Sequence, residues 1–158
     1  MSGADRSARA IAAADELGLA HTVVRHGPVR SLAEAAAARG VTPDRLVKTM
    51  VVRVTDGDYR FVLVPGDREI AWPKLRALLG VNRLSLPDAD TARQVTGYVR
   101  GTITPLGSDA ALPVVAAAAV TGTISIGGGA PGVGLTLDAA ELVERLGATV
   151  ADVSEPVE

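Results

Sequence analysis

The chain contains no cysteine among its 158 residues and very few aromatic side chains. Without a thiol, the protein has no disulfide, no thiolate nucleophile and no cysteine-based zinc site. Aromatic residues make up only 3% of the chain, whereas hydrophobic residues make up 47%, so the core must be built from alanine, valine and leucine. The two histidines, His21 and His26, cannot hold a metal without carboxylate ligands, and the sequence indicates no metal.

The sequence also lacks an excess of one charge and a long apolar run. Sixteen basic and eighteen acidic residues give a formal charge of −2, which disfavours tight non-specific nucleic-acid binding but permits brief contact with one end of an RNA. The longest apolar run, 112–120, is too short to span a bilayer, and the polar start MSGADRSARA contains no apolar signal region. We therefore expect a cytoplasmic protein that binds neither DNA nor membrane.

The patterns that are present predict one domain, 1–158. Capping residues around alanine- and leucine-rich runs predict helices over 7–17, 31–40, 71–80, 88–97 and 138–147. Alternating and β-branched runs predict strands over 21–26, 46–54, 59–65, 82–88, 123–126, 133–138 and 149–153. Strands joined largely by hairpins, with helices inserted between them, predict an α+β fold around a curved mixed sheet.

A glycine-rich segment, ISIGGGAPGVGL at 124–135, contains a G-x-G-x-x-G match at Gly127, Gly129 and Gly132. A dinucleotide loop requires a helix directly after the glycines, but the following VGLTLD is typical of a strand and Pro131 lies inside the motif. The phosphate-binding interpretation is therefore disfavoured. Two others remain: a connection between two strands, or a backbone that approaches a ligand closely.

Lys48 interrupts the apolar strand LVKTMVV, where a charge is costly unless it meets water or an anion. It is either an outward-facing lysine on an edge strand or an ammonium group that lines a pocket for a phosphate or carboxylate. Thr49 points to the opposite face of such a strand. No Ser/His/Asp set or carboxylate pair recurs at useful spacing, so any catalysis does not depend on a conventional triad.

Three segments in this order resemble the YbaK/ProX family: LVKTMVV (46–52), TGYVRGTITPLG (96–107) and ISIGGGAPGVGLTLDAAEL (124–142), followed by LGATVADV. These proteins are stand-alone relatives of the editing domain inserted in bacterial prolyl-tRNA synthetases. The most specific parts are the Lys48–Thr49 pair and the G-x-x-x-P-x-G pattern of Gly101 to Gly107. The resemblance implies an α+β fold with a mixed, strongly curved, barrel-like β-sheet and surrounding helices.

The resemblance implies trans-editing, the hydrolysis of the ester that joins a wrong amino acid to tRNA, here tRNA for proline carrying Cys or Ala, without a cofactor. It implies catalytic roles for Lys48, which holds the terminal adenosine or the aminoacyl group, and Gly101, whose backbone lies against the scissile ester. Its implied partners are the acceptor end of aminoacyl-tRNA and prolyl-tRNA synthetase. The implied substrate-binding residues are Val24, His26, Ser31, Thr49, Pro105, Gly127 and Gly128.

Two other functions remain open at this point. The chain is alternatively a catalytically idle relative that binds tRNA or a synthetase without hydrolysis, or a small-molecule-binding protein that uses the glycine-rich segment. The activation of water is also open, because the substrate's own hydroxyl, its amine or, in a cysteinyl substrate, its thiol can take part. The sequence does not choose among them.

Overall fold

The computed structural model describes residues 3–157. The helices are α1 (Gly3–Glu16), α2 (Leu32–Ala38), α3 (Trp72–Leu79), α4 (Ala89–Thr96) and α5 (Ala139–Leu146), with one 3-10 turn at Pro43–Arg45. The strands are β1 (His21–Arg25), β2 (Val47–Thr55), β3 (Asp58–Pro65), β4 (Arg68–Ile70), β5 (Val114–Ala117), β6 (Thr123–Gly127), β7 (Val133–Asp138), β8 (Thr149–Ala151) and β9 (Ser154–Pro156).

Helices form at all five predicted places, but α1 begins at Gly3 rather than at the predicted Ser7, which lies buried inside the helix. Three other helices begin at capping residues. The side chains of Ser31, Asp88 and Asp138 each accept a hydrogen bond from the backbone N–H three residues later, at the starts of α2, α4 and α5. Such caps satisfy N–H groups that have no partner inside the helix. Helices α3, α4 and α5 each end at a glycine in the left-handed conformation, as is common at helix ends.

The strands form three sheets. In the first, β7 lies between β1 and β6, and both pairings are antiparallel. In the second, the order is β2-β3-β5-β8, with β2 and β3 antiparallel and the other pairs parallel. The third is the antiparallel pair β4-β9, which the sequence analysis did not predict.

The α+β class is confirmed, but the barrel-like closure of a single sheet is not observed in residues 3–157. The first two sheets are joined by one isolated bridge, between Leu46 and Ser125. Beyond that bridge, the main chain of Thr102 and Ile103 packs against Gly127, so that a Cβ on Gly127 would lie 2.9 Å from the Ile103 carbonyl oxygen. The main chain of Thr102 and Ile103 therefore packs against β6, and within residues 3–157 the two sheets pair nowhere beyond the bridge.

The predicted strand at 82–88 is also wrong. Only Ser85 pairs there, by two backbone hydrogen bonds with Arg53 of β2: Arg53 N to Ser85 O (2.8 Å) and Ser85 N to Arg53 O (3.1 Å). The next pair of this antiparallel ladder would join residue 87 to Val51. Residue 87 is proline, which has no N–H to donate, and the chain turns away into α4.

The core is aliphatic, as the composition predicted. The central strand β3 is buried from Phe61 to Pro65, because neighbours cover both of its faces. Leu75 of α3 and Leu142 of α5 are fully buried against the same cluster. Within residues 3–157, no helix combines the length and the apolar character that a bilayer-spanning segment needs.

Tyr98 anchors the G-x-x-x-P-x-G segment to this core. Its ring is 1% exposed, and its hydroxyl donates a hydrogen bond of 2.6 Å to the carbonyl oxygen of Leu106. Burial raises the pKa of Tyr98, so the hydroxyl stays protonated and available as a donor at neutral pH. The bond fixes the far end of the segment that begins at Gly101.

Removing the Tyr98 hydroxyl is therefore expected to destabilise the protein. The Tyr98→Phe substitution leaves the Leu106 carbonyl without its partner inside the protein, at a cost of about 1–3 kcal/mol, measurable by urea unfolding. Tyr59→Phe is the matched control, because the Tyr59 hydroxyl makes no hydrogen bond within residues 3–157. Equal urea midpoints for the two variants would contradict this role of Tyr98.

Candidate active site

A cavity of about 870 Å³ runs along the free edge of β2. Six consecutive residues, Leu46–Val51, line it. Since side chains alternate between the two faces of a strand, a cavity that touches every residue of this run lies along the strand edge rather than on one face. The other lining residues are Val29, Leu32, Ala35, Arg39, Gly66, Leu86, Pro87, Asp88, Ala89, Ala92, Arg100, Gly101, Ile103 and Gly127.

The edge of β2 is bridged at its two ends and unpaired between them. Leu46 pairs with Ser125 just before β2, and Arg53 pairs with Ser85 near its other end. Between these bridges the neighbouring chains diverge, which opens the space that the cavity occupies. An edge strand normally exposes a row of unpaired N–H and C=O groups, and here that row faces the cavity.

Three cations and one carboxylate line this cavity: Lys48, Arg39, Arg100 and Asp88. No described carboxylate forms an ion pair with Lys48. Asp88 accepts a hydrogen bond of 2.7 Å from the Thr91 backbone N–H, and this bond lowers the pKa of Asp88. The carboxylate is thus ionised and engaged by α4, and the cavity carries positive charge in a chain that is negative overall.

Arg39 lies at the end of α2, lines the cavity and donates a hydrogen bond to His26. Arg39 Nε lies 3.3 Å from His26 Nε2, and His26 Nδ1 lies 2.8 Å from the Gly27 carbonyl oxygen. Because a guanidinium can only donate, Nε2 accepts and Nδ1 carries the proton. Both ring nitrogens are therefore occupied. Burial lowers the pKa of Arg39, yet a guanidinium remains charged in proteins.

Gly101 sits in a turn at the cavity wall. The Thr102 N–H donates to the Val99 carbonyl oxygen at 3.0 Å, and Gly101 has a φ of +90°, which is the third-position geometry of a type II turn. The Thr102 hydroxyl also bonds the Val99 carbonyl, at 2.7 Å. The Gly101 N–H makes no hydrogen bond within residues 3–157, so it remains available to a ligand.

Lys48 and Thr49 both line the cavity, although their side chains leave opposite faces of β2. The Thr49 hydroxyl is buried and has no hydrogen-bond partner in the described chain. Buried hydroxyls are usually hydrogen-bonded, so Thr49 is an exception next to the cavity, although its hydroxyl oxygen is not itself accessible there. The structure thus brings together Lys48, Thr49, Gly101 and Gly127 of the residues that the resemblance implied.

The other five implied site residues lie outside the cavity lining. Val24 pairs with Gly134 inside the first sheet, and His26 supports Arg39 rather than lining the cavity itself. Ser31 caps α2, whose next residue, Leu32, does line it. Pro105 and Gly128 are also absent from the lining. Their predicted substrate contacts remain predictions.

The glycine-rich segment connects β6 to β7 and approaches protein backbone at several points. The Gly129 N–H donates to the Thr102 carbonyl oxygen at 3.1 Å, and a Cβ on Gly129 would lie 2.8 Å from both the Arg6 carbonyl oxygen and the Tyr98 ring. No helix follows the segment directly, since β7 does. Of these glycines, only Gly127 lines the cavity, so close packing against other chain segments accounts for most of them.

Sequence reasoning missed Arg39, Arg100 and Asp88. Arg39 comes just before the glycine that follows α2, a position where a basic residue is expected for helix capping alone. Arg100 lies inside the quoted TGYVRGTITPLG segment, next to Gly101, and was a usable signal. Asp88 was identified only as a helix start. The described residues contain no group of three or more potential His, Cys, Asp or Glu metal ligands.

Ser31 provides a test between capping and substrate contact. Ser31→Ala is expected to cost about 1 kcal/mol of stability, because the Glu34 N–H loses its 3.1 Å bond to the Ser31 hydroxyl. Ser31→Thr retains a capping hydroxyl and should keep the urea midpoint. If Ser31→Thr instead changes the ligand selectivity of the cavity while stability is unchanged, Ser31 contacts the ligand.

Several known proteins and one protein family are similar to this chain. The family model described as "Aminoacyl-tRNA editing domain" matches residues 26–145. A solved structure described as a candidate trans-editing enzyme for prolyl tRNA synthetase is 27% identical, with a TM-score of 0.83 over 94% of this chain and 97% of that one. The structure of a hypothetical protein designated APE2540 is 31% identical, with a TM-score of 0.84 over 93% and 99% of the two chains.

The curated relatives are proline–tRNA ligases. The ligase of Syntrophotalea carbinolica is 39% identical over 93 residues, which are 59% of this chain and 16% of the ligase. That of Bacillus licheniformis is 30% identical over 106 residues, 66% of this chain and 18% of the ligase. The chain therefore spans less than a fifth of these relatives. With the family model matched over most of the chain, the protein belongs to the aminoacyl-tRNA editing domain family, which confirms the resemblance to YbaK/ProX proteins.

Proposed function

We propose that this protein is a trans-editing aminoacyl-tRNA deacylase, an ester hydrolase that acts on mischarged tRNA for proline. The observation that carries the proposal is the positively charged cavity beside the open edge of β2, which is lined both by the Lys48 ammonium, unpaired within residues 3–157, and by the free N–H of Gly101. Membership in the editing-domain family supports the reaction class. The similar structure described as a candidate trans-editing enzyme supports action on tRNA in trans.

The Gly101 N–H is proposed to stabilise the oxyanion. Hydrolysis of an aminoacyl ester places negative charge on the former carbonyl oxygen, and fixed backbone donors stabilise that charge without reorganising during the reaction. The turn between Val99 and Thr102 holds the Gly101 peptide in place. A Cβ on Gly101 would meet no atom within 4 Å, so space does not require glycine here. Glycine is favoured because the backbone at this position is left-handed, and it adds no side chain to the cavity.

Lys48 is proposed to hold the substrate by its charge. An ammonium group binds phosphate or a carbonyl oxygen as a compact point charge, and one without an ion-pair partner loses no existing bond when substrate binds. Arg39 and Arg100 add to the attraction for the acceptor end of a tRNA. Because binding already orients the ester, less translational and rotational entropy is lost in reaching the transition state.

The attacking water is proposed to be activated by the substrate itself. The ionisable side chains that line the cavity are Lys48, Arg39, Arg100 and Asp88, and the only carboxylate among them caps α4. His26 has both ring nitrogens engaged. A hydroxyl or amine of the substrate is then the proposed base. In a cysteinyl substrate, the thiol can attack the ester carbonyl carbon, which breaks the ester bond, forms a thiolactone and releases the terminal ribose hydroxyl of the tRNA.

Cys and Ala are the proposed amino acids, and prolyl-tRNA synthetase is the proposed partner. The proline–tRNA ligases share this domain, and small neutral amino acids are the ones that a synthetase pocket built for proline rejects weakly by binding alone. The aliphatic lining provided by Ala35 and Met50 suits a short uncharged side chain.

The first test compares the only two lysines of the chain, Lys48 and Lys74. We expect Lys48→Ala to lower kcat/KM for release of Cys or Ala from tRNA for proline by about 100-fold, the scale at which loss of a transition-state contact acts. Lys74→Ala is the matched control, since Lys74 pairs with Asp152 on the surface and should leave the rate unchanged.

The outcomes separate the functions that the sequence left open. Release from tRNA charged with Cys, Ala, Ser and Pro is followed with both variants and the parent protein. Binding of charged tRNA without release would point to a catalytically idle relative. If the protein neither binds charged tRNA nor releases the amino acid, the proposed function is overturned.

The second test addresses the charge of the cavity. Arg100→Ala is expected to weaken tRNA binding and to reduce the slope of log affinity against log salt by about 1, as for loss of one phosphate contact. Arg93→Ala is the control, because Arg93 is also exposed but does not line the cavity. Identical salt slopes for the two variants would show that Arg100 makes no phosphate contact.

A further inference from the structure

The open edge of β2 presents backbone groups that no part of the described chain uses. Arg53 directs its N–H and C=O outward to Ser85, and outward-facing residues recur at every second position of an antiparallel edge strand. Val51 and Thr49 therefore also direct their N–H and C=O groups outward, toward the cavity that both residues line. Neither forms a hydrogen bond on that side within residues 3–157.

We propose that this edge binds the adenine base of the terminal adenosine by its Watson–Crick edge, an inference that rests on the proposed function. The Thr49 C=O accepts from the adenine amino group, and the Val51 N–H donates to adenine N1. The two groups are two residues apart on one strand, so they lie side by side on the same edge. A planar base that offers a donor beside an acceptor is complementary to this pair.

The donor and acceptor order selects among bases. Guanine and uracil present an acceptor where adenine has its amino group and a donor where adenine has N1. Each would therefore place an acceptor against the Thr49 C=O and a donor against the Val51 N–H. Cytosine has the same order as adenine but a smaller ring. Discrimination of this kind is strong when backbone groups would otherwise be left unpaired.

Apolar side chains at the same cavity are suited to the faces of the base. Val29, Leu32 and Leu86 all line it and are 37%, 38% and 49% exposed, although the chain buries most of its large apolar residues. Side chains placed on a flat aromatic base would lose this exposure and gain contact. Charged groups for ribose and phosphate, Lys48 and Arg100, line the same cavity.

Pro87 keeps the edge open. A residue with an N–H at position 87 could extend the ladder from the bridge between Ser85 and Arg53 and pair with Val51. Proline cannot donate that bond, and the chain departs toward Asp88 and α4. The segment that sequence patterns predicted as a strand thus ends where the proposed base site begins.

The test uses the unmodified protein and altered substrates, so protein folding does not enter. Aminoacyl-tRNA for proline is prepared with a terminal 1-deazaadenosine, which lacks N1, or a terminal purine riboside, which lacks the amino group. We expect kcat/KM to fall about tenfold for each, the effect of one hydrogen bond. A terminal 7-deazaadenosine changes neither group and should be cleaved like adenosine.

A binding experiment separates this proposal from the proposed function. Adenosine 5′-monophosphate is titrated into the protein while the Val51 amide proton is followed by NMR, with the 1-deaza nucleotide as the control. We expect a shift of the Val51 amide with the first nucleotide and a much smaller one with the second. Leu86→Ala should weaken the binding about fivefold, whereas Leu78→Ala, an exposed leucine outside the cavity, should not.

Each result decides one of the two proposals. If the 1-deazaadenosine and purine riboside esters are both cleaved at the rate of the adenosine ester while Lys48→Ala is impaired, the deacylase stands and the adenine contact is overturned. If no ester is cleaved but the nucleotide shifts the Val51 amide, the adenine contact stands and the proposed function is overturned. No shift of the Val51 amide at millimolar nucleotide overturns the adenine contact by itself.

Discussion

The unpaired edge of β2 is the constraint on which the site depends. A strand bridged at Leu46 and Arg53 but free between them leaves a gap that no neighbouring strand fills. Unpaired backbone groups are costly when they are buried away from water, so the gap persists as a solvent-accessible cavity rather than collapsing. The elements that border it, α2, the 86–89 segment and the turn at Gly101, then place their side chains toward the same space.

The charged side chains at the cavity differ in whether they already have a partner within the protein. The carboxylate of Asp88 is ionised but engaged by α4, and Arg39 is supported by the neutral ring of His26. The remaining cations, Lys48 and Arg100, have no such partner at the cavity and stay available to an anion. A protein with a negative overall charge thus presents a locally positive surface at this cavity, and salt would screen its attraction for an anion.

Local signals predicted the helices and most of the strands, and they indicated part of the candidate site. Caps at Ser31, Asp88 and Asp138 set the helix starts because they act within three residues, and a tight turn at Asp56-Gly57 joins β2 to β3. Lys48, Thr49, Gly101 and Gly127 were found through the resemblance. Arg39 was missed because a basic residue at a helix end already has a local explanation, and the strand at 82–88 failed because apolar alternation does not reveal that Pro87 ends a ladder.

The sequence by itself determined the α+β class, the aliphatic core, the family and the absence of thiol chemistry, since composition, capping and motif order are properties of the chain alone. The tertiary structure decided that the sheets stay open, that the glycine-rich segment packs mainly against backbone near Arg6 and Thr102, and that the cavity follows a strand edge. The physical reason is that strand pairing and close packing join residues far apart in the chain. Which backbone groups remain unpaired is known only after every other segment has taken its place.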